Sequence, residues 1–426
     1  MKKIFAKFNV VVKSLCRGTG WRELKQSDLL ILRHDADCGY RYANAAYSPI
    51  ADTVVEHSRY AGFTVQSIAT PFSYLTKARA FNYPVAFNRP FMAIAVLSRA
   101  LRLLVGGHKS KAWASKRRTH LWLKILARVQ PQMVIGIQPD IALCRAGRVM
   151  GIPVYDIQHG VIESSNSWYG EILERNSEDA ELPSGFLCWD HESAKVLQAW
   201  APVRGAEVLV VGHPWFQRFR SPSADDSLVL EALQSNSIAV GGKPTILVAL
   251  QWGLHIHYYA NTDFNHVMCK ALESVILQTQ GQYNWLLRLH PLQLTGAEGD
   301  HCEKYLAATF GHLPNVEWHK ASTAPLPLLL SQVDAHITDM SSVVIEASWF
   351  GIPSALLNPL LEEGGSLEKL YLRERQSGIA QVVPQQSDAI KSWIDQALQA
   401  DFQSTEKELL HSGVNSFLEK RLVKNV

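Results

Sequence analysis

The sequence predicts an α/β protein made of two consecutive halves, each a parallel sheet flanked by helices. Three patterns carry that expectation. Apolar runs of strand length alternate with stretches of helix length, as parallel strands joined by crossover helices require. Several strand runs leave through short exits rich in histidine, glycine and proline: Gln158-His159-Gly160, Gly212-His213-Pro214 and Arg288-Leu289-His290-Pro291. The series also occurs twice, on either side of a linker-like stretch at residues 221–226 (SPSADD), without a repeat in the sequence itself.

Taken in order, residues 28–33 (DLLILR) read as a buried strand, and His34-Asp35-Ala36-Asp37-Cys38-Gly39 as the loop after it. Residues 47–59 look helical. Residues 91–105 form an apolar helical block that Gly106-Gly107 breaks; residues 108–118 read as a polycationic connector around Trp113, and residues 120–128 as an amphipathic helix. Strands are expected at 133–137, 154–157, 185–189 and 207–211, with helices between them and a polar, loop-rich stretch at 164–181. The second series places strands at 246–250, 285–289, 316–319, 335–338, 354–357 and, more weakly, 381–383, and closes with helices at 388–400 and 406–420. This gives a Rossmann-like first domain at 1–225, opening on a short basic helix or arm at 1–27 and carrying a basic helical insert at about 57–130. A second Rossmann-like domain follows at 240–400, and a C-terminal helix at 401–426.

Composition narrows the class. At 426 residues, with 47% apolar content and 12 Trp, the chain can bury well-formed cores. Its six Cys are scattered, with no CxxC, which argues against a zinc site or a disulfide framework and fits a reducing cytosol. No secretory signal and no apolar run of membrane-spanning length is visible. The expected localisation is therefore cytoplasmic, or peripheral on the inner face of the cytoplasmic membrane. Net charge is only +3, yet between Glu56 and Asp140 there is no acidic residue and there are 13 Lys/Arg, so the rest of the chain carries −10. A one-signed stretch of that length suggests an anionic partner.

The motif that draws the others together is residues 337–358, ITDMSSVVIEASWFGIPSALLN. It has the grammar of strand, turn, helix and strand, with Gly351-Ile352-Pro353 ending the helix. Ser341 and Ser342 at a helix start beyond a strand suit a phosphate, although capping alone would also place serine there. His290, after Pro291 has fixed the strand exit, points to the same edge, and Arg288 shares its side of the strand by two-residue alternation. Glu346 interrupts an apolar helix, where it can accept from ribose hydroxyls or face solvent. Gln251 and Gly253 leave the first strand of the second half, where glycine lets backbone approach a ligand; His255 and His257 follow without further metal ligands. In the first half His159 is a general-base or donor candidate, and Asp35, Asp37, Asp140 and Asp156 compete as the carboxylate base. Asp140 and Asp190 also suit helix starts. No GxGxxG, Walker loop, GxSxG or HExxH is present, which weakens dehydrogenase, ATPase, serine hydrolase and zinc protease readings.

Together QHG, VVGHP, RLHP and TDMSSVVIEASWFGIP resemble GT-B glycosyltransferases of bacterial surface polysaccharide (capsule and lipopolysaccharide) biosynthesis, over about residues 130–360. The resemblance is to transferases using CMP-Kdo or CMP-sialic acid, and to CDP-glycerol glycerophosphotransferases. It implies two Rossmann-like domains facing a cleft and metal-independent sugar transfer. His290, Ser341 and Ser342 would hold the donor phosphate, Glu346 would lie near the ribose, and His159 near the reacting centre. No cofactor is implied beyond the nucleotide-activated sugar donor. The reading is transfer of Kdo or a related 2-keto acid from a CMP donor to a surface polysaccharide or lipid-linked glycan acceptor. CDP-glycerol-type polyol-phosphate transfer and a UDP-sugar-using GT-B transferase or 2-epimerase are the alternatives. Two departures stand out: residues 343–346 replace an Asp-containing stretch of the glycerophosphotransferases, and HDADCG only loosely imitates the sialyltransferases' acidic pair. Loops 251–262 and 359–374 are expected to select the sugar. The basic stretch at 57–130, with Trp113 and Trp122 among its cations, suits an anionic membrane surface, or else a groove for an anionic glycan; no nucleic-acid module is recognisable.

Overall fold

A computed structural model describes residues 20–73, 79–162, 167–220, 222–235, 242–259, 264, 267–294, 296–404 and 413–423. Residues 1–19 of the arm expected at 1–27 and residues 406–412 of the helix expected at 406–420 lie outside them, and the rest of that helix is present as Val414–Arg421. The chain divides into two compact units, Met1–Arg218 with Glu408–Val426, and Phe219–Lys407. Each is built on its own six-stranded sheet, and every strand pair within these two sheets is parallel.

The first unit contains β1 (Leu29–Arg33), β2 (Tyr40–Tyr42), β3 (Ala45–Tyr47), β4 (Val65–Ala69), β5 (Met133–Gly136), β6 (Val154–Ile157), β7 (Gly185–Cys188) and β8 (Glu207–Val210). Its sheet runs β4-β1-β5-β6-β7-β8, with β2 and β3 as a separate antiparallel hairpin. The strands β1, β5, β6 and β7 are buried along their whole length, as expected where helices cover both faces of a sheet. Gly136 in β5 sits opposite Leu32, where a Cβ would come within 2.8 Å of the leucine Cβ. Asp140 accepts from the Ala142 amide at 2.9 Å to cap the helix Ile141–Met150, which ends at left-handed Gly151. The helix Val414–Arg421 belongs to this unit: Val414, Phe417 and Leu418 are buried, and Phe417 meets Tyr155 edge-on at 5.0 Å.

Three local expectations are revised. β4 lies within the basic stretch, where its sequence VQSIA gave no apolar run to mark it. Residues 108–118 are no connector. They are the first half of one helix, Gly107–Val129, because Leu121, Trp122, Ile125, Leu126 and Val129 bury one face of its second half. Trp122 is consequently fully buried and cannot meet a membrane. The stretch expected to be loop-rich contains the π-helix Ser167–Arg175, held by buried Tyr169 and Leu173. The preceding helix, Asn88–Val105, turns at Gly106 (φ 81°) and packs back on Gly107–Val129, where Ser98 and Ser110 exchange hydroxyl hydrogen bonds.

The second unit contains β9 (Thr245–Ala249), β10 (Asn284–Arg288), β11 (Val316–Glu317), β12 (Ala335–Thr338), β13 (Ser354–Leu356) and β14 (Ala380–Val382). Its order is β11-β10-β9-β12-β13-β14: three strands wind one way from β9, then three the other way from β12. That is the doubly wound Rossmann order, and it puts a topological switch point at the carboxyl ends of β9 and β12.

The first unit also holds a buried ion pair. Arg33 at the end of β1 meets Asp52 at 3.0 Å, both almost wholly buried. Asp52 further accepts from the Ser48 amide at 2.7 Å and the Asn82 side chain at 3.1 Å, and Arg33 donates to the Ala46 carbonyl. The carboxylate thus ties the helix Ala51–Tyr60 to β1 and the hairpin. Removing one partner strands the other charge in the interior. Asp52→Ala should therefore cost the first unit about 3–5 kcal/mol, read as a lowered urea midpoint of its unfolding transition; an unchanged midpoint would show the pair to be dispensable.

Candidate functional site

The candidate residues of the second unit gather on one sheet edge, at the exits of β9, β10 and β12. Gln251 joins these exits. Its side-chain oxygen accepts from the Met340 amide at 2.6 Å, and its carbonyl accepts from Gln293 at 3.3 Å. Thr338 adds a second tie, donating to the Ala249 carbonyl at 2.8 Å and accepting from the Ser341 amide at 3.2 Å. Gly253 adopts φ 85° two residues beyond Gln251, a left-handed conformation that favours glycine, and starts the short helix Leu254–His257.

His290 and Pro291 begin the turn after β10. The His290 amide donates to Gln293 at 2.9 Å, and its Nδ1 accepts from the Leu292 amide at 3.2 Å. An accepting Nδ1 carries no proton, so the neutral ring keeps its proton on Nε2 and presents a donor there. Ser341 and Ser342 are half-exposed immediately before the helix Val343–Trp349, and the Ser341 hydroxyl accepts from the Val343 amide at 3.4 Å.

Arg288 is engaged by backbone carbonyls, and Glu346 is buried, which removes its solvent-facing alternative. Arg288 directs Nη1 to the carbonyls of Ala321 and Ala324, at 2.7 and 2.8 Å, so it anchors the 319–324 segment beneath the edge. Burial lowers its pKa to about 10, and the Glu346 charge opposes that shift. Glu346 is itself buried, so it does not face solvent, and its charge serves Arg288.

Asp339, within the TDMSS motif, and two tyrosines outside any motif complete the edge. Tyr259 donates to Asp339 at 3.1 Å and receives from Gln385 at 2.8 Å; Gln385 also donates to the Leu357 carbonyl. Burial raises the Asp339 pKa to about 6, against the lowering effect of the Tyr259 hydroxyl. Tyr371 donates to the Met340 carbonyl at 2.8 Å. Both tyrosines come from the loops expected to select the sugar, although residues 260–263 lie outside the described ones. The available signal was an aromatic hydroxyl in each of those loops.

In the first unit the winding reverses between β1 and β5, and the exits of β1, β5 and β6 carry the candidates. Gln158 pins the β6 exit: it accepts from the Trp189 amide at 2.7 Å and donates to Ser193 and to the Gly160 carbonyl, each at 2.9 Å. His159 is thereby presented half-exposed, its ring centroid 6.4 Å from that of His34. Burial, and then the charge of His34, lower the His159 pKa to about 4. Burial also lowers that of His34, against the nearby Asp35. His34 directly follows β1 but belongs to no motif that marks it as a candidate.

The four carboxylates separate. Asp156 is buried within β6, accepting from Trp168 Nε1 at 2.7 Å and the Gln138 amide at 2.9 Å, and burial raises its pKa to about 7. Asp37 does not pair with Asp35 in an open loop. It turns to the Ser48 hydroxyl and the Ile50 amide, and burial raises it to about 7. Asp140 is a helix cap, as is Asp190, which accepts from the Ser193 amide at 2.7 Å. Asp35 accepts from the Ser73 hydroxyl at 2.5 Å.

No protein-family model matches this sequence, and comparison with curated proteins finds no match either. Solved structures do match. A UDP-GlcNAc 2-epimerase from Neisseria meningitidis, bound to UDP-GlcNAc, is similar over 92% of this chain and 98% of its own, at 12% identity and a TM-score of 0.55. The UDP-GlcNAc 2-epimerase of Methanocaldococcus jannaschii is similar over the same shares, at 12% identity and a TM-score of 0.56. The wall teichoic acid polymerase TagF, in a structure with CDPG, is similar over 96% of this chain and 86% of its own, at 12% identity and a TM-score of 0.50. At these identities the likeness establishes the fold: the chain has the two-sheet α/β architecture of GT-B-like proteins.

Proposed function

We propose that the protein is a GT-B-type enzyme acting on a nucleotide-activated sugar or polyol, with the activated phosphate held at the carboxyl edge of the second unit's sheet. The observation that carries this reading is the β9–β10–β12 edge. There Gln251 ties the exits together, His290 offers Nε2–H, and two serine hydroxyls stand at the next exit. Neutral donors fixed in advance of the reaction can stabilise the charge of a departing phosphate without a metal. Diphosphate-linked donors, UDP-sugars or CDP-polyols, take precedence over CMP-linked Kdo, because the similar structures were described with UDP-GlcNAc and CDPG. His159 is the acid–base candidate for an acceptor hydroxyl, because its low pKa keeps it neutral in the physiological range.

A second reading is acceptor-independent 2-epimerisation of a UDP-N-acetylhexosamine, which the likeness to the two epimerases favours. Incubation with each donor, with and without a glycan or lipid-linked acceptor, separates the two: release of nucleotide that requires acceptor supports transfer, and an epimerised sugar formed without acceptor supports the second reading.

His290→Ala should weaken binding of the preferred nucleotide, measured by calorimetry, by about 10–100-fold, the worth of one hydrogen bond to a charged group; unchanged affinity removes His290 from the site. If His159 is the base, kcat/KM should fall only as pH drops through about 4 and stay level from there to neutral pH, because a base acts when deprotonated. A limb near pH 7 would instead point to Asp37 or Asp156.

A further inference from the structure

The helix Asn88–Val105 buries Phe91 and Met92 against the first unit's core, yet its other side is also apolar. Ala93, Val96, Leu97, Ala100, Leu103 and Leu104 are all exposed. Their spacing of three, one, three, three and one residues is the helical period, so they form one continuous stripe, not scattered surface residues. The stripe is most open at the hairpin tip, where Leu103 is 88% and Leu104 82% exposed. An ordinary soluble surface does not align its leucines this way.

The charge around the stripe has one sign. Arg99 and Arg102 lie on the same helix, and Lys109 and Lys111 follow just beyond the Gly106 turn, all exposed. The hairpin falls within the stretch from 57 to 139, which has no Asp or Glu. Among the described residues no helix is long and apolar enough to cross a membrane. An apolar stripe rimmed by cations, too short to span, has the chemistry of a helix lying in the interface of an anionic bilayer.

We propose that this helical hairpin docks the protein on an anionic lipid surface, with the stripe buried among acyl chains and the four cations at the headgroups. Protein–protein docking through the same stripe would need no uniformly cationic rim. The proposal is independent of the donor assigned above, and lipid binding is read without any substrate.

The test is co-sedimentation of the full-length protein with vesicles of phosphatidylglycerol and phosphatidylcholine, against phosphatidylcholine alone. The protein should partition onto the anionic vesicles and much less onto the neutral ones. Lys109→Gln with Lys111→Gln should lower the anionic partition roughly 25-fold, about fivefold per charge. Leu97→Gln with Leu104→Gln should lower it about tenfold or more, while thermal melting stays unchanged because both side chains are exposed. Equal partition onto both vesicle types, or none, overturns the proposal. So does a leucine variant that binds vesicles normally but dissociates a dimer in sedimentation velocity, which would assign the stripe to a second copy of the chain.

Discussion

On each sheet edge of this protein a glutamine ties neighbouring strand exits together. A parallel sheet leaves its strand exits as separate loops, and each loop has backbone groups that need partners. Gln158 meets that need through a side-chain amide that both donates and accepts, and Gln251 through its side-chain oxygen and its own backbone carbonyl, which both accept from neighbouring exits. In place of Gln158 an aspartate could accept but not donate, and a lysine could donate but not accept. A neutral amide makes these ties without adding a charge of its own to the edge. Burial lowers the pKa of both His290 and His159, and the charge of His34 adds to the effect at His159.

The duplicated α/β architecture was legible because parallel strands buried on both faces are near-continuous apolar runs, and β5, β6, β7, β9 and β10 all read that way. Where that signal fails, so does the reading. β4 carries Gln66 and Ser67 in a five-residue edge strand and is no more apolar than a loop. The cationic half of the helix Gly107–Val129 has no apolar stripe of its own; it is helical because the second half is packed.

The site was legible at the level of strand exits and not at the level of roles. The motifs placed Gln251, His290, Ser341 and Ser342 on one edge because each follows a recognisable strand. The direction of a side chain is set by partners distant in sequence. Asp37 turned inward to Ser48 and Ile50, and Arg288 was taken up by carbonyls more than thirty residues away. Tyr259 and Tyr371 reached the edge from loops with no motif. Their contribution is a hydroxyl delivered to Asp339 and to Met340, and only the three-dimensional path of the loop can show that.

The helix Val414–Arg421 returns to the first unit after the chain has built all of the second. In the order of synthesis, the first unit is thus interrupted. Its sheet can form as its strands emerge, but the surface around Tyr155 stays uncovered until Phe417 arrives, about two hundred residues after the sheet's last strand. The second unit, continuous in sequence, can fold as one piece in that interval. A nascent chain therefore closes the first unit last, and a ribosome that stalls within the second unit leaves behind a first unit whose sheet is formed but whose flank is still exposed to a chaperone.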